Sequence, residues 1–137
     1  MVIYSPVQMA ADLPEHYEQH PDALAFIKRV PVDWEETRVI GGAIGDYAIF
    51  VRQRRGGPDW YVGGVTDEQA RKVTVDFAFL PKGKSYRATI WRDGAGGGIG
   101  GDRFAMTVEE KIVTATTKLP VRMEAGGGFA IALVPGR

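Results

Sequence analysis

The sequence predicts an all-β fold, an antiparallel β-sandwich of about eight strands that follows a short N-terminal helical leader. Two observations support this class. After residue 37, short apolar segments rich in β-branched and aromatic residues alternate with turn signals at the spacing typical of sandwiches. Helical patterns do not separate these segments, and this disfavours a parallel sheet with crossover helices.

Residues 1–33 form the predicted leader, which prolines divide into short helical segments. The first segment covers residues 7–13, Pro14 opens the second, and Pro21 opens the third. The predicted apolar face of the third helix consists of Leu24, Ile27 and Val30. The leader is too short to be a domain. We therefore expect it to be the end of a larger unit, and the chain to be an accessory module of a longer protein.

Residues 34–137 form the predicted sandwich. A short strand at residues 39–40 is expected to lead into a tight turn at Gly41 and Gly42. The later predicted strands cover residues 44–54, 60–65, 73–79, 86–91, 105–110, 111–114, 119–123 and 129–134. Residues 94–101 are glycine-rich and are predicted to form a flexible loop.

Trp34 lies at the junction between the leader and the first strands. A large aromatic side chain at such a junction can bury against both segments. We therefore predict that Trp34 is a structural anchor that fixes the leader to the sandwich.

The composition excludes several classes of function. The 17 basic and 17 acidic residues balance, so nothing attracts a polyanion such as nucleic acid. There are no cysteines, which excludes disulfides and thiolate chemistry. No apolar run approaches the roughly 20 residues that span a bilayer, so we expect no membrane partner. The first residues lack a signal peptide. If the parent protein is exported to the periplasm or the exterior, its signal lies upstream.

Two histidines, His16 and His20, are four residues apart in the leader. This spacing can place two imidazoles on one face for a metal, but a third ligand is missing and the pattern is not that of a zinc protease. Solvated histidines are the favoured interpretation. We assign no metal ligand and no cofactor to the chain.

Three glycines, Gly96, Gly98 and Gly101, match the spacing of dinucleotide-binding loops. That motif requires a helix after the glycines, because the helix N-terminus binds the pyrophosphate. The residues that follow have a strand pattern instead. A hairpin loop is therefore the favoured interpretation.

Adjacent carboxylates occur as Glu35-Glu36 and Glu109-Glu110. Cleavage of a glycosidic bond requires two carboxyl groups that face each other across the sugar. Neighbours on a strand point to opposite faces, so neither pair can do this alone. No nucleophile elbow and no triad can be assembled either. We therefore assign no catalytic residue, and we predict that the chain alone is not an enzyme.

Four aromatic residues of the predicted strands could stack on sugar rings: Trp60, Tyr61, Tyr86 and Trp91. Strand alternation places Trp60 and Tyr61 on opposite faces, so one is expected in the core and the other at the surface. Core packing is the favoured interpretation for most of them. An exposed strip of these residues would instead indicate a carbohydrate-binding module.

The leader contains the pattern Ser-Pro-x-Gln-Met-x-Ala-Asp-x-Pro over residues 5–14, within a longer stretch over residues 4–17. Five further stretches accompany it, at residues 30–37, 45–47, 60–66, 88–94 and 126–130. Together they resemble the C-terminal end of glycoside hydrolase family 97 enzymes, which include retaining α-galactosidases and inverting α-glucosidases of the SusB type. Residues 94–101 are more glycine-rich and less polar than that family's loop.

The resemblance implies a C-terminal antiparallel β domain preceded by the last helix of a catalytic (β/α)8 barrel. It also implies that the acid, base or nucleophile and the calcium-binding glutamates lie in upstream domains, so none is carried over to a residue of this chain. The expected function is a non-catalytic accessory domain that packs on the barrel and forms homo-oligomers. The alternative is a carbohydrate-binding module. Whether the parent acts on α-glucosides or α-galactosides stays open, since the barrel decides it.

Overall fold

The computed structural model describes residues 2–3 and 13–136, which form two short helices and eight strands. The helices are α1 (Pro14–Glu18) and α2 (Pro21–Arg29). The strands are β1 (Trp34–Ala43), β2 (Tyr47–Arg54), β3 (Trp60–Thr66), β4 (Arg71–Asp76), β5 (Ser85–Asp93), β6 (Met106–Thr114), β7 (Lys118–Met123) and β8 (Gly128–Pro135). The predicted all-β class with a helical leader is confirmed. The helix predicted over residues 7–13 lies outside the described residues.

The strands form two antiparallel sheets of unequal size. The large sheet has the order β1-β2-β3-β8-β5-β6, and β4 pairs with β7 in a two-stranded sheet. The C-terminal strand β8 is inserted between β3 and β5, so it is central and both of its edges are paired. This order leaves β1 and β6 as the two edges of the large sheet.

The main core fills the space between the two sheets. Alternate residues of the central strands point into it, as expected for sheets that bury one face. The large sheet contributes Val62, Ile90 and Ile131, while the small sheet contributes Val75 and Met123. All five are fully buried, so the small sheet acts as the cover of one face of the large sheet.

Helix α2 covers part of the opposite face of the large sheet. Pro21 occupies its first turn, Asp22 lies near its N-terminus and Arg29 in its last turn, an order of charges that suits the helix dipole. Phe26 and Val30, four residues apart, pack on the sheet. The predicted face of α2 is therefore wrong in part, because Ile27 is exposed. In the part of the chain that the structure describes, no helix has the length and apolar character needed to cross a membrane.

The Gly41-Gly42 turn was predicted wrongly. Both glycines belong to β1, which continues to Ala43, and the turn follows at residues 44–46 with Gly45 at a φ of 87°. A bulge shifts the β1–β2 register between Val39 and Gly41. A Cβ at Gly41 would lie 3.2 Å from the Ile49 side chain, a tight contact that Ile49 would have to relieve by a small shift.

Two other boundaries differ from the predictions. Strand β4 ends at Asp76, three residues before the predicted end, but the Phe77 ring still enters the main core in alternation with Val75, as predicted. Strand β6 is continuous from Met106 to Thr114, where two separate segments were predicted. A run of three charged residues in its middle does not interrupt it, because β6 lies at an exposed edge where charges remain solvated.

Candidate interaction surfaces

A cluster of aromatic and aliphatic side chains joins the leader to the outer face of the large sheet. We call it the leader cluster: Phe26, Val30, Trp34, Tyr61, Met106, Trp91, Ala130 and Ala132. The rings of Phe26 and Trp91 are 5.1 Å apart and tilted by 60°. Such geometry adds to the stabilisation that burial gives. The leader helix α2 is therefore packed on the sandwich by its own aromatic contacts.

Three hydrogen bonds fasten the ends of α2 to the sheet below it. The Trp91 indole Nε1 donates to the Asp22 carbonyl oxygen at 3.0 Å, near the start of the helix. The Tyr61 hydroxyl donates to the Arg29 carbonyl oxygen at 3.3 Å, at the end of the helix. The Arg29 guanidinium in turn donates to Thr89 Oγ1 at 3.2 Å. These bonds give the buried polar tips of the aromatic residues their partners.

The phenol of Tyr61 has a raised pKa. Burial in the leader cluster is the main cause, and the negative charge of Asp59 adds to it. Both effects disfavour the phenolate. Tyr61 therefore stays a neutral hydrogen-bond donor to the helix at ordinary pH.

Trp34 is half-buried at the first residue of β1 and packs on the leader cluster. Its ring lies edge-on to Tyr61 at 5.5 Å, and the guanidinium carbon of Arg52 lies 5.7 Å from its ring centre. Arg52 is itself buried and donates to Thr37 Oγ1 at 3.1 Å. Both partners of the Trp34 ring belong to the sheet, in β3 and β2, so whether Trp34 anchors the leader stays a prediction. How much Trp34 contributes to stability stays a prediction.

The four candidate sugar-stacking residues do not form an exposed strip. Trp60 and Tyr86 point into the main core, while Tyr61 and Trp91 belong to the leader cluster. All four are buried, with exposed fractions of 4%, 1%, 3% and 6%. The expectation that Trp60 or Tyr61 would be exposed is wrong, because α2 and Trp34 cover the second face of β3. No observation favours a sugar platform at these residues.

The paired carboxylates are engaged in surface ion pairs. Glu35 and Glu36 pair with Arg55 and Arg38. The Glu109 carboxylate lies 3.2 Å from Arg92 and 3.3 Å from Lys111. Glu110 accepts a hydrogen bond from Thr89 Oγ1 at 3.3 Å.

The histidines are separated from any cluster of potential ligands. The ring of His20 stacks on Phe104, with ring centroids 4.3 Å apart and planes inclined by 13°. Across residues 2–3 and 13–136, the structure brings together no group of three or more His, Asp or Glu side chains that could hold a metal ion.

As predicted, a strand and not a helix follows the glycine-rich loop, and this strand is β6. Gly96 and Gly98 have φ values of 78° and 85°, which glycine adopts without strain. The loop is also held by backbone bonds, since the Ile99 N–H donates to the Ala125 carbonyl at 2.8 Å. A loop at residues 94–101 is therefore confirmed, and its flexibility stays a prediction.

Asp93, at the end of β5, is a structural residue that the sequence patterns did not indicate. Its Oδ2 accepts hydrogen bonds from the backbone N–H groups of Glu124 and Gly128, both at 2.8 Å. A Cβ at Gly127 would lie 2.1 Å from the same oxygen. The connection between β7 and β8 therefore needs a carboxylate at residue 93 and no side chain at residue 127.

Among the described residues of the strands and their turns, exposed large apolar side chains occur in two areas, apart from Ile99 and Phe104 of the segment between β5 and β6. The first, which we call the hairpin patch, surrounds the β1–β2 turn and consists of Val39, Ile44 and Val65. The second lies along edge strand β6, where Val108 and Ile112 are exposed on the outer face. Exposed apolar groups in clusters mark surfaces that contact another protein.

Comparisons with known proteins agree with this architecture. Residues 33–134 match the family model described as Glycosyl-hydrolase 97 C-terminal, oligomerisation. A retaining alpha-galactosidase of Bacteroides thetaiotaomicron is 39% identical over 133 residues, which are 97% of this chain and 19% of that protein.

Solved structures give the same result. A glycoside hydrolase family 97 enzyme from Pseudoalteromonas sp. strain K8, solved in complex with acarbose, superposes with a TM-score of 0.96 at 42% identity and covers 99% of this chain and 21% of its own. A beta-arabinopyranosidase with a TM-score of 0.71 and 24% identity has a similar fold.

The family model and the solved structures agree on a two-layer sandwich at the C-terminal end of a longer enzyme. The chain belongs to the family of C-terminal oligomerisation domains of glycoside hydrolase family 97. It spans about a fifth of the length of the relatives that it matches. The predicted family and the predicted accessory class are confirmed.

Proposed function

We propose that the chain serves a family 97 α-glycosidase as the non-catalytic domain that packs against the catalytic barrel and joins subunits. The observation that supports the packing role is the leader cluster. Helix α2 is attached to the sheet by Phe26 and by hydrogen bonds at both of its ends. A polypeptide that enters through the leader is therefore held in a fixed orientation to the sandwich.

The substrate of the parent is proposed from its relatives alone. The curated relatives are a retaining alpha-galactosidase and a probable one, at 39% and 30% identity. We favour an α-galactoside over an α-glucoside as the parent's substrate on this ground. Calcium, on this proposal, is bound by the parent's other domains. The division at residue 33 then separates the barrel's last helix from the accessory sandwich.

The first test is an activity assay of the purified 137-residue chain. We expect no hydrolysis of aryl α-galactosides or aryl α-glucosides, with or without calcium, because the adjacent carboxylates do not face each other across a cleft. Turnover that disappears when Glu36, Glu109 or Glu110 is changed to glutamine would refute a non-catalytic role.

The second test is the oligomeric state. Sedimentation velocity over about 1 µM to 1 mM covers the range of weak, transient dimers. We expect the sedimentation coefficient to rise with concentration. A strictly monomeric chain over this range would refute self-association as part of the function.

A further inference from the structure

Edge strand β6 is the longest edge strand without a register shift in the described structure. It pairs with β5 over all nine of its residues, from Met106 opposite Asp93 to Thr114 opposite Ser85, without a register shift. Its other side pairs with no described strand. An extended strand of this length with a free side offers a row of backbone donors and acceptors to another strand.

The opposite edge of the large sheet is less suitable. Strand β1 contains two register shifts, one between Trp34 and Glu36 and one between Val39 and Gly41. Bulges bend and twist an edge, and proteins use them to prevent strand addition. In the small sheet, β7 contains Pro120, which has no N–H to donate. Strand β6 has neither device.

The sequence of β6 is complementary to itself when two copies run antiparallel. Side chains that lie directly opposite each other on neighbouring strands point to the same face of the sheet. A two-fold axis perpendicular to the sheet must therefore place one residue of β6 directly opposite its own copy in the partner subunit. With the axis at Glu110, each Glu109 lies opposite Lys111 of the partner subunit. Each exposed Val108 likewise lies opposite the partner's Ile112.

Other positions of the axis lose this match. At Glu109 the axis places Val108 opposite Glu110 of the partner subunit. At Lys111 it places Glu110 opposite the partner's Ile112. Only with the axis at Glu110 do the two copies of β6 also pair over their whole length, because residue 110 is the midpoint of Met106–Thr114.

We propose that two copies of the chain join their large sheets edge to edge, through antiparallel pairing of β6 on a two-fold axis at Glu110. This inference rests on the proposed oligomerisation function and names the surface that performs it. The partner is a second copy because the charges and apolar residues of β6 complement those of the same strand. Val108 and Ile112, exposed by 42% and 68%, become covered on the outer face.

A charge-swap experiment tests the pairing. Lys111→Glu places two glutamates opposite each other at both symmetric positions, and Glu109→Lys places two lysines there. Each variant alone should dimerise roughly tenfold more weakly than the wild-type chain, since favourable cross-strand pairs become repulsive. An equimolar mixture should form heterodimers of near wild-type affinity, because every opposed pair is again Glu with Lys.

The readout is sedimentation with one variant fluorescently labelled. A mixture of Lys72→Glu and Glu68→Lys is the matched control, since it makes the same charge changes away from β6. This control mixture should dimerise no more tightly than the wild-type chain. Glu110→Gln removes the like charges at the axis and should tighten the wild-type dimer severalfold. That gain of affinity cannot result from a folding defect.

The outcomes separate the two proposals. A wild-type dimer that both single variants weaken and the mixture restores supports pairing at β6. A wild-type dimer whose affinity is unchanged by the variants, or not restored in the mixture, overturns the β6 interface and leaves the oligomerisation function intact. A wild-type chain that stays monomeric at every concentration overturns both.

Discussion

Replacing Trp34 with alanine tests whether this side chain helps to fix the leader to the sandwich. The substitution removes the edge-on contact with Tyr61 at 5.5 Å and the contact with the Arg52 guanidinium at 5.7 Å. It also removes part of the apolar cover of β3, because Trp34 packs on the leader cluster.

The size of the effect can be estimated from these contacts. An aromatic pair contributes about 0.5–1.5 kcal/mol beyond burial, and a cation–π contact about 0.5–2 kcal/mol. Truncation of a buried Trp costs about 3–5 kcal/mol in all. Because Trp34 is only half-buried, we expect a loss of about 3 kcal/mol. For a chain of this length, that lowers Tm by roughly 10 °C.

The assay is reversible denaturation of the purified chain, with Ile44→Ala as the surface control. Ile44 is fully exposed, so its truncation should change stability by no more than about 0.5 kcal/mol. In Trp34→Ala, the amides of α2 should also exchange hydrogen faster, because the helix loses its support. A change below about 0.5 kcal/mol would show that Trp34 is not the anchor.

Three further outcomes are expected. Asp93→Ala should destabilise the chain by about 1–3 kcal/mol in denaturation, because two partly buried backbone N–H groups lose their acceptor. Gly64→Ala should lower Tm, since the new Cβ would lie 2.3 Å from the Phe129 ring, and Phe129→Leu should restore part of the loss. The pKa values of Tyr61 and Tyr86 are raised mainly by burial, so stability should fall as pH rises from about 10 through the folded-state pKa values. Changing either tyrosine to phenylalanine should flatten this alkaline loss, and an unchanged pH profile would contradict the assignment.

The sequence predicted the class and most strand positions because the sandwich obeys a local rule. Alternation of apolar and polar residues follows directly from the period of a strand, so β3 and β5 could be located to within a residue or two. The glycine pair at residues 41–42 was misread for a physical reason. Glycine suits both a tight turn and a bulge. What distinguishes them here is the contact of Gly41 with Ile49 on the paired strand, which the sequence pattern does not show.

Burial of the second sheet face could not be predicted from strand alternation. Alternation correctly separated Trp60 from Tyr61, but it could not say what covers the outward residue. That cover is α2, whose contacts with Tyr61 span about thirty residues of sequence. The role of Asp93 was missed for the same reason, since its two donors lie 31 and 35 residues away.

The two faces and the two edges of the large sheet explain how one domain can serve two contacts at once. The inner face is covered by the small sheet, and part of the outer face is covered by α2. These contacts fix the leader, and with it the rest of a longer chain, on the outer face of the sheet, where β6 contributes the Met106 side chain. A dimer formed through the backbone edge of β6 that pairs with no described strand therefore need not disturb the packing of the leader. If both proposals hold, Lys111→Glu should weaken dimerisation and lower Tm at low concentration only slightly, through loss of its ion pair with Glu109 in the same chain. Trp34→Ala should lower Tm by more, while the charge-swap mixture still pairs.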